Sequence, residues 1–167
     1  GCTNVDVTNV NSSAADAAKH GFRFDVSSTV LNFDNCTLNA GIEITQASEI
    51  RFNTCRLRNP VDISQATVGL GVADLEFNNC EFGGTGDVTV TNCNAVNSNA
   101  KGLRFNDCDF EGVGIDATGW TDIVIHNTKI ASDSLVLTNC QNTKLNGFEL
   151  DTGDITITGA AGPTSMT

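Results

Sequence analysis

Cysteine is the reactive residue this chain uses most systematically. Of seven cysteines, Cys36, Cys55, Cys80 and Cys108 each stand three residues after a Phe. Thiols act as nucleophiles, redox centres or metal ligands when exposed and ionised, but an odd count cannot pair completely within one chain. No CxxC and no His-rich cluster is present, so a zinc site is not expected. Two sets of carboxylates could also do chemistry. Glu43 and Asp62 fall at equivalent places in neighbouring repeats, and a carboxylate pair can in principle hydrolyse a glycoside. Glu49, Asp74 and Asp122 each precede a strand at one edge, where like charges must be solvated or bridged by a cation such as calcium. Gly102 interrupts that stack. His20 and His126 do not converge with either set, and GxSxG, HExxH and phosphate-cradling loops are absent.

The elements that position these groups form a repeat. One motif reads Phe33-Asp34-Asn35-Cys36-Thr37-Leu38, and recurs from Phe52, Phe77 and Phe105, then in weaker form from Ile125 and Leu145. The steps between leading residues are 19, 25, 28, 20 and 20. A second motif alternates with the first, starting at Ile42, Val61, Val88, Val113, Leu135 and Ile155, and Phe22-Arg23-Phe24 with Val5-Asp6-Val7 supplies a less regular first copy. Alternation of apolar and polar residues marks each as a strand. The Asn- and Asp-rich break before each Cys marks a corner, because those residues tolerate a left-handed backbone. Two motifs alternating with a period near 20 to 28 residues are two edges of one coil, repeated about seven times. The expectation is an all-β, single-domain parallel β-solenoid over 1–167. It places Phe and Cys in stacked interior ladders and Asn amides linked from coil to coil at the corner. Cysteines one strand spacing apart sit too far from each other for an easy disulfide, so the ladder is expected to be buried and reduced. Cys93 and Cys140 fall at a small-residue position shared with Ala47, Ala66 and Ala160.

On these motifs the chain resembles the right-handed parallel β-helix superfamily, which includes pectate-lyase-like enzymes and phage tailspikes. The resemblance implies a right-handed β-helix over nearly the whole length. It does not carry an active site across. The galacturonase-like branch would imply Asn-Thr-Asp, Asp-Asp and Gly-His-Gly, none of which is present. In a pectate-lyase-like site the acidic column would continue past Glu43 and Asp62, where this chain has Thr89.

Composition narrows the partners. A net charge of −11 with scattered Lys and Arg argues against nucleic acid and anionic membrane surfaces. No apolar run approaches the roughly 18 residues of a membrane span. Outward residues of the first motif, such as Arg51, Glu76 and Arg104 or Arg56, Glu81, Asp109 and Lys129, largely alternate in sign and read as solvated ladders that also fix register. Residues 13–20 read as a short capping helix with a Ser cap, and 159–167 as a flexible tail that leaves the last coil uncovered. The longer coils insert residues 67–73 and 94–101 at one edge, so Val68, Leu70, Val72, Asn97, Lys101 and Trp120 are the expected partner contacts. No cofactor is expected. The reading is a non-enzymatic structural or interaction protein, a virion decoration or spike component or a cell-surface assembly subunit, placed in the virion or outside the cell. The alternative is an extracellular carbohydrate-binding or polysaccharide-degrading module. Scarce exposed aromatics count against that alternative.

Overall fold

A computed structural model of the chain describes residues 3–12, 20–24, 28–44, 47–65, 73–84, 87–92, 101–159 and 164–166. Its strands run in coils of three. The first coil comprises β1 (Thr3–Thr8), β2 (Asn11–Ser12) and β3 (His20–Phe24), and the second β4 (Ser28–Asp34), β5 (Thr37–Leu38) and β6 (Gly41–Ile44). The third has β7 (Ala47–Asn53), β8 (Arg56–Leu57) and β9 (Val61–Gln65), and the fourth β10 (Ala73–Asn78), β11 (Glu81–Gly83) and β12 (Val88–Asn92). Next come β13 (Lys101–Asn106), β14 (Asp109–Glu111) and β15 (Ile115–Thr118), then β16 (Thr121–His126), β17 (Lys129–Ile130) and β18 (Leu135–Thr138). The seventh coil holds β19 (Thr143–Asn146), β20 (Glu149–Leu150) and β21 (Ile155–Thr158), and β22 (Thr164–Met166) follows.

Each strand pairs in parallel with its counterpart one coil away. The result is an eight-stranded first sheet from β1 to β22, a seven-stranded second sheet from β2 to β20 and a seven-stranded third sheet from β3 to β21. This is a β-solenoid. Two expectations are corrected at its ends. His20 opens strand β3 instead of closing a helix, and residues 13–19 lie outside the described residues, among which there is no helix. The stretch expected to be a flexible tail returns a strand, β22, which pairs Thr164 with Thr143 and Met166 with Leu145.

The interior follows from alternation. Phe33, Phe52, Phe77 and Phe105 are buried and stack face to face at 4.7, 5.0 and 5.1 Å, with Phe82 and Phe110 stacked beside them at 4.3 Å. Rings held one strand spacing apart gain offset-stacking energy on top of burial. Outside, the amide ladder forms as the sequence implied. Asn53 Nδ2 donates to Asp34, Asn78 Nδ2 to Asn53 and Asn106 Nδ2 to Asn78, at 2.7 to 2.9 Å.

Two columns of left-handed residues shape every coil. At the corner between the first and second sheets stand Asn9, Asn35, Thr54, Asn79, Asp107, Asn127 and Gly147, all with positive φ. Their amides donate to the following coil, as in Asn35 N to Asn53 O and Thr54 N to Asn78 O, both 2.9 Å. Thr54 is the β-branched exception, at φ 54°, in a column otherwise made of Asn, Asp and Gly. Because a left-handed backbone costs an ordinary residue about 1 to 2 kcal/mol, Thr54→Asn is expected to stabilise the fold by about 1 kcal/mol. Urea titration checks this, and an unchanged or lower midpoint would count against it.

Candidate functional site

The second left-handed column lies within the first-sheet strands: Asn4, Val30, Glu49, Asp74, Gly102, Asp122 and Asn142. It contains the acidic stack noted in the sequence. The strand registers skip this column, pairing Ala73 with Ser48 and then Leu75 with Ile50. Asp and Asn are favoured there by backbone conformation. Asn142 Nδ2 donates to Asp122 Oδ1 at 3.1 Å. A Cβ on Gly102 would come within 2.6 Å of Asp74 Oδ1, so the missing side chain leaves room for that carboxylate. No group of three His, Cys, Asp or Glu among the described residues is arranged to hold a metal ion.

The cysteine ladder is a hydrogen-bonding device. Cys55 Sγ donates to Asn53 O, two residues back, and to Phe33 O of the preceding coil, both at 3.3 Å. Cys80 and Cys108 repeat the arrangement. Thr128 replaces Cys in the next coil and keeps the same partners, donating to His126 O at 3.0 Å and Phe105 O at 3.3 Å. Cys140 does likewise at another corner, toward Ala117 O and Thr138 O. All five described thiols, Cys36, Cys55, Cys80, Cys108 and Cys140, are buried and free. Burial pushes Cys36 and Cys140 up, while the neighbouring Cys108 thiol together with burial pushes Cys80 up to about 12. Cys55 is also raised, chiefly by the Cys80 thiol. Such thiols are poor nucleophiles.

Two measurable consequences follow from neutral, enclosed thiols. Labelling is expected to leave the ladder untouched in the native protein and to modify it fully after denaturation without reductant; persistent protection would reveal disulfides. Unfolded thiols ionise near pH 8.5, whereas the folded Cys80 does so only at about 12. The corresponding stability is complete below about pH 8.5 and is lost as pH rises toward 12. Cys80→Thr should therefore show a smaller alkaline loss of urea resistance than the parent protein.

The outer face of the second sheet is a charged corner. Glu81 pairs with Arg56 at 3.0 Å and with Arg58, and Arg58 reaches past Gly83 to Glu111 at 3.7 Å. Lys129 pairs with Asp151 at 2.9 Å and is held above its ordinary range by that carboxylate. A shallow groove beside these pairs is lined by Thr54, Arg56, Asn79, Glu81, Asp107 and Asp109. Glu81 is thus a neutralised ladder member. Glu43 and Asp62 are register neighbours on the third sheet, followed by Thr89, and both are engaged in interactions.

Trp120 changes role. The sequence motif set Val113 at the start of its strand, but Val88 pairs with Ile115, two residues further on. That shift carries Trp120 into the inward corner column of Cys140, with Gln141 N donating to Trp120 O at 2.8 Å. Its side chain is 0% exposed and Nε1 has no hydrogen-bond partner, so the ring is core and not a surface contact. Lys101 opens β13, paired with Ala73 and Thr121. Val68, Leu70, Val72 and Asn97 lie outside the described residues.

The surface that does stand out is at the ends. Ile155 and Ile157 occupy inward positions of β21, paired with Leu135 and Leu137. Leu135 and Leu137 are buried, whereas Ile155 and Ile157 are 41% and 38% exposed. The difference is one missing strand: no described residue pairs with the outer edges of β20 and β21. At the opposite end Val5 is 36% exposed, while its neighbour Leu31 is buried. Unpaired parallel edges over an apolar interior are templates for another strand. No protein-family model matches this chain, and comparison with the curated proteins finds no match.

Proposed function

We propose that the chain is an assembly module built on a right-handed β-helix, the winding that parallel strand connections overwhelmingly adopt. It serves as a virion decoration or spike component or as a subunit of a cell-surface assembly, and it docks a protein along the outer edges of β20 and β21 without catalysing a reaction. The observation that carries this reading is the exposure of Ile155 and Ile157 in core register, beside strand edges with which no described residue pairs. Burial of two Ile side chains and completion of two sheet edges would reward a docked strand. Glycan recognition is supported less, since the chain has no Tyr and its single Trp is enclosed.

The test is a concentration series in sedimentation or light scattering. The intact protein is expected to exceed monomer mass at high concentration, and Ile155→Lys with Ile157→Lys to return it to monomer while circular dichroism stays β-rich. A strictly monomeric parent that binds an oligosaccharide panel would overturn the assembly reading in favour of the glycan one.

A further inference from the structure

The thiol column repeats one geometry from coil to coil. Cys55, Cys80 and Cys108 each donate from Sγ to the carbonyl two residues back and to a Phe carbonyl of the coil before, all at 3.3 to 3.4 Å. Like bonds place each sulfur one strand spacing from the next, and the flanking residues hold the register, with Asn53 beside Asn78 and Arg56 beside Glu81. That spacing is about 4.8 Å, and two thiolate bonds to a d10 ion laid end to end measure about 4.6 Å. An ion midway between two such sulfurs needs no separate cavity and no movement of the coils.

We infer that Cys55 and Cys80 form a site for one soft monovalent d10 cation, copper(I) or its chemical equivalents, held linearly between the two sulfurs. Ligand type and number select the ion. Thiolates are soft ligands and favour copper(I) over hard cations. Zinc requires four ligands, and the described residues offer no group of even three. The backbone also provides for the charge. Cys108 N donates to Thr128 Oγ1 at 3.4 Å, so the amide of one coil is aimed at the side-chain atom of the next. The Cys36 amide meets the Cys55 sulfur in the same way, and the Cys55 amide meets the Cys80 sulfur, each working against the upward shift of the thiol. A donor aimed at the charged form favours it.

Of the described cysteines, this pair borders the acidic groove: Cys55 and Cys80 are among its lining residues, together with Asp107, Asp109 and Glu111. Those carboxylates raise the local concentration of cations. On binding, both S–H bonds break and two copper–sulfur bonds form. The two protons leave to water through the groove, copper stays copper(I), and no electron is transferred. The bound unit carries one negative charge and faces two amide N–H groups. The metal drives a deprotonation that the buried thiols resist on their own, so affinity falls as pH falls.

The experiment titrates the reduced, oxygen-free full chain with copper(I) against a chromophoric copper(I) chelator, and examines the loaded protein by X-ray absorption at the copper edge. A background of Cys2→Ser with Cys93→Ser leaves the five described thiols as the chain's only ones. There the protein is expected to retain about one copper per chain, bound by two sulfurs and no third ligand. Cys55→Thr and Cys80→Thr should each abolish retention, while Cys36→Thr, Cys108→Thr and Cys140→Thr leave it in place. Thr is the replacement of choice because Thr128 already keeps the same hydrogen bonds. Should the background variant unfold, Cys55→Thr and Cys80→Thr in the unaltered chain should each lower the copper content by about one per chain, and the double variant by no more than either alone, as a shared ion requires. A protein that yields all its copper to the chelator, or binds it through three or more ligands, would refute the site. Retention lost with Cys108→Thr and kept with Cys55→Thr would refute the assigned pair.

Discussion

Phe77→Ala is expected to remove about 3 to 5 kcal/mol of folding stability, the range for deleting an enclosed aromatic ring. Phe77 is fully buried and lies between Phe52 and Phe105 at 5.0 and 5.1 Å, with the Phe82 ring edge-on at 5.3 Å. Removing it takes one ring contact from each of Phe52, Phe82 and Phe105, and Phe105 loses its face-stacked neighbour. The strands above and below are fixed by backbone pairing, so the coils cannot collapse into the void. In a solenoid, stability is carried by contacts between neighbouring coils. A defect in the fourth coil therefore weakens the coupling between the two halves, and the loss should appear as a broadened or two-step urea transition. Phe77→Leu, which keeps most of the volume, should lose less than half as much. A single sharp transition within about 1 kcal/mol of the parent would show that the ring ladder is not what joins the halves.

Gly84→Ala is expected to cost on the order of 3 kcal/mol, combining backbone strain with a steric clash. Gly84 follows β11 with φ 99°, a conformation L residues rarely adopt, and a Cβ there would overlap the carbonyl oxygen of Arg58 in the preceding coil. That carbonyl cannot swing away freely, because Arg58 N is bonded to Leu38 O at 3.0 Å. Its side chain also bridges Glu81 and Glu111. Gly112 separates the two contributions. Its φ is 71°, but the nearest atom to an added Cβ is Ser132 Oγ at 3.8 Å. Gly112→Ala should therefore lose only about 1 kcal/mol. Equal losses at the two positions, measured by urea titration, would show that strain alone accounts for both and that the Arg58 carbonyl yields.

The period of the chain makes the coils, the ring ladder, the thiol ladder and the Asn ladder legible in the sequence. A solenoid core is local in this sense: a residue meets its equivalent one repeat later, so like residues at like positions predict contact. The charged columns were legible for the same reason, and Arg56–Glu81 and Arg51–Glu76 form where register neighbours have opposite sign.

Tertiary structure decided what periodicity of two cannot resolve. Starting the strand at Val113 or at Ile115 preserves the same inward face, because a shift of two residues leaves alternation unchanged. Only pairing with Val88 selects Ile115, and that choice moves Trp120 from a surface connection into the core. The left-handed column through Asp74, Gly102 and Asp122 was visible as residue types and read as charge, since a single turned residue inside a strand has no periodic signature. The ends depended on tertiary structure most. Thr164-Ser165-Met166 has weak strand character of its own and becomes β22 through the free edge of β19, while Ile155 and Ile157 look in sequence like any other core pair. Their exposure goes with an edge of β21 that no described residue pairs, and not with the residues themselves.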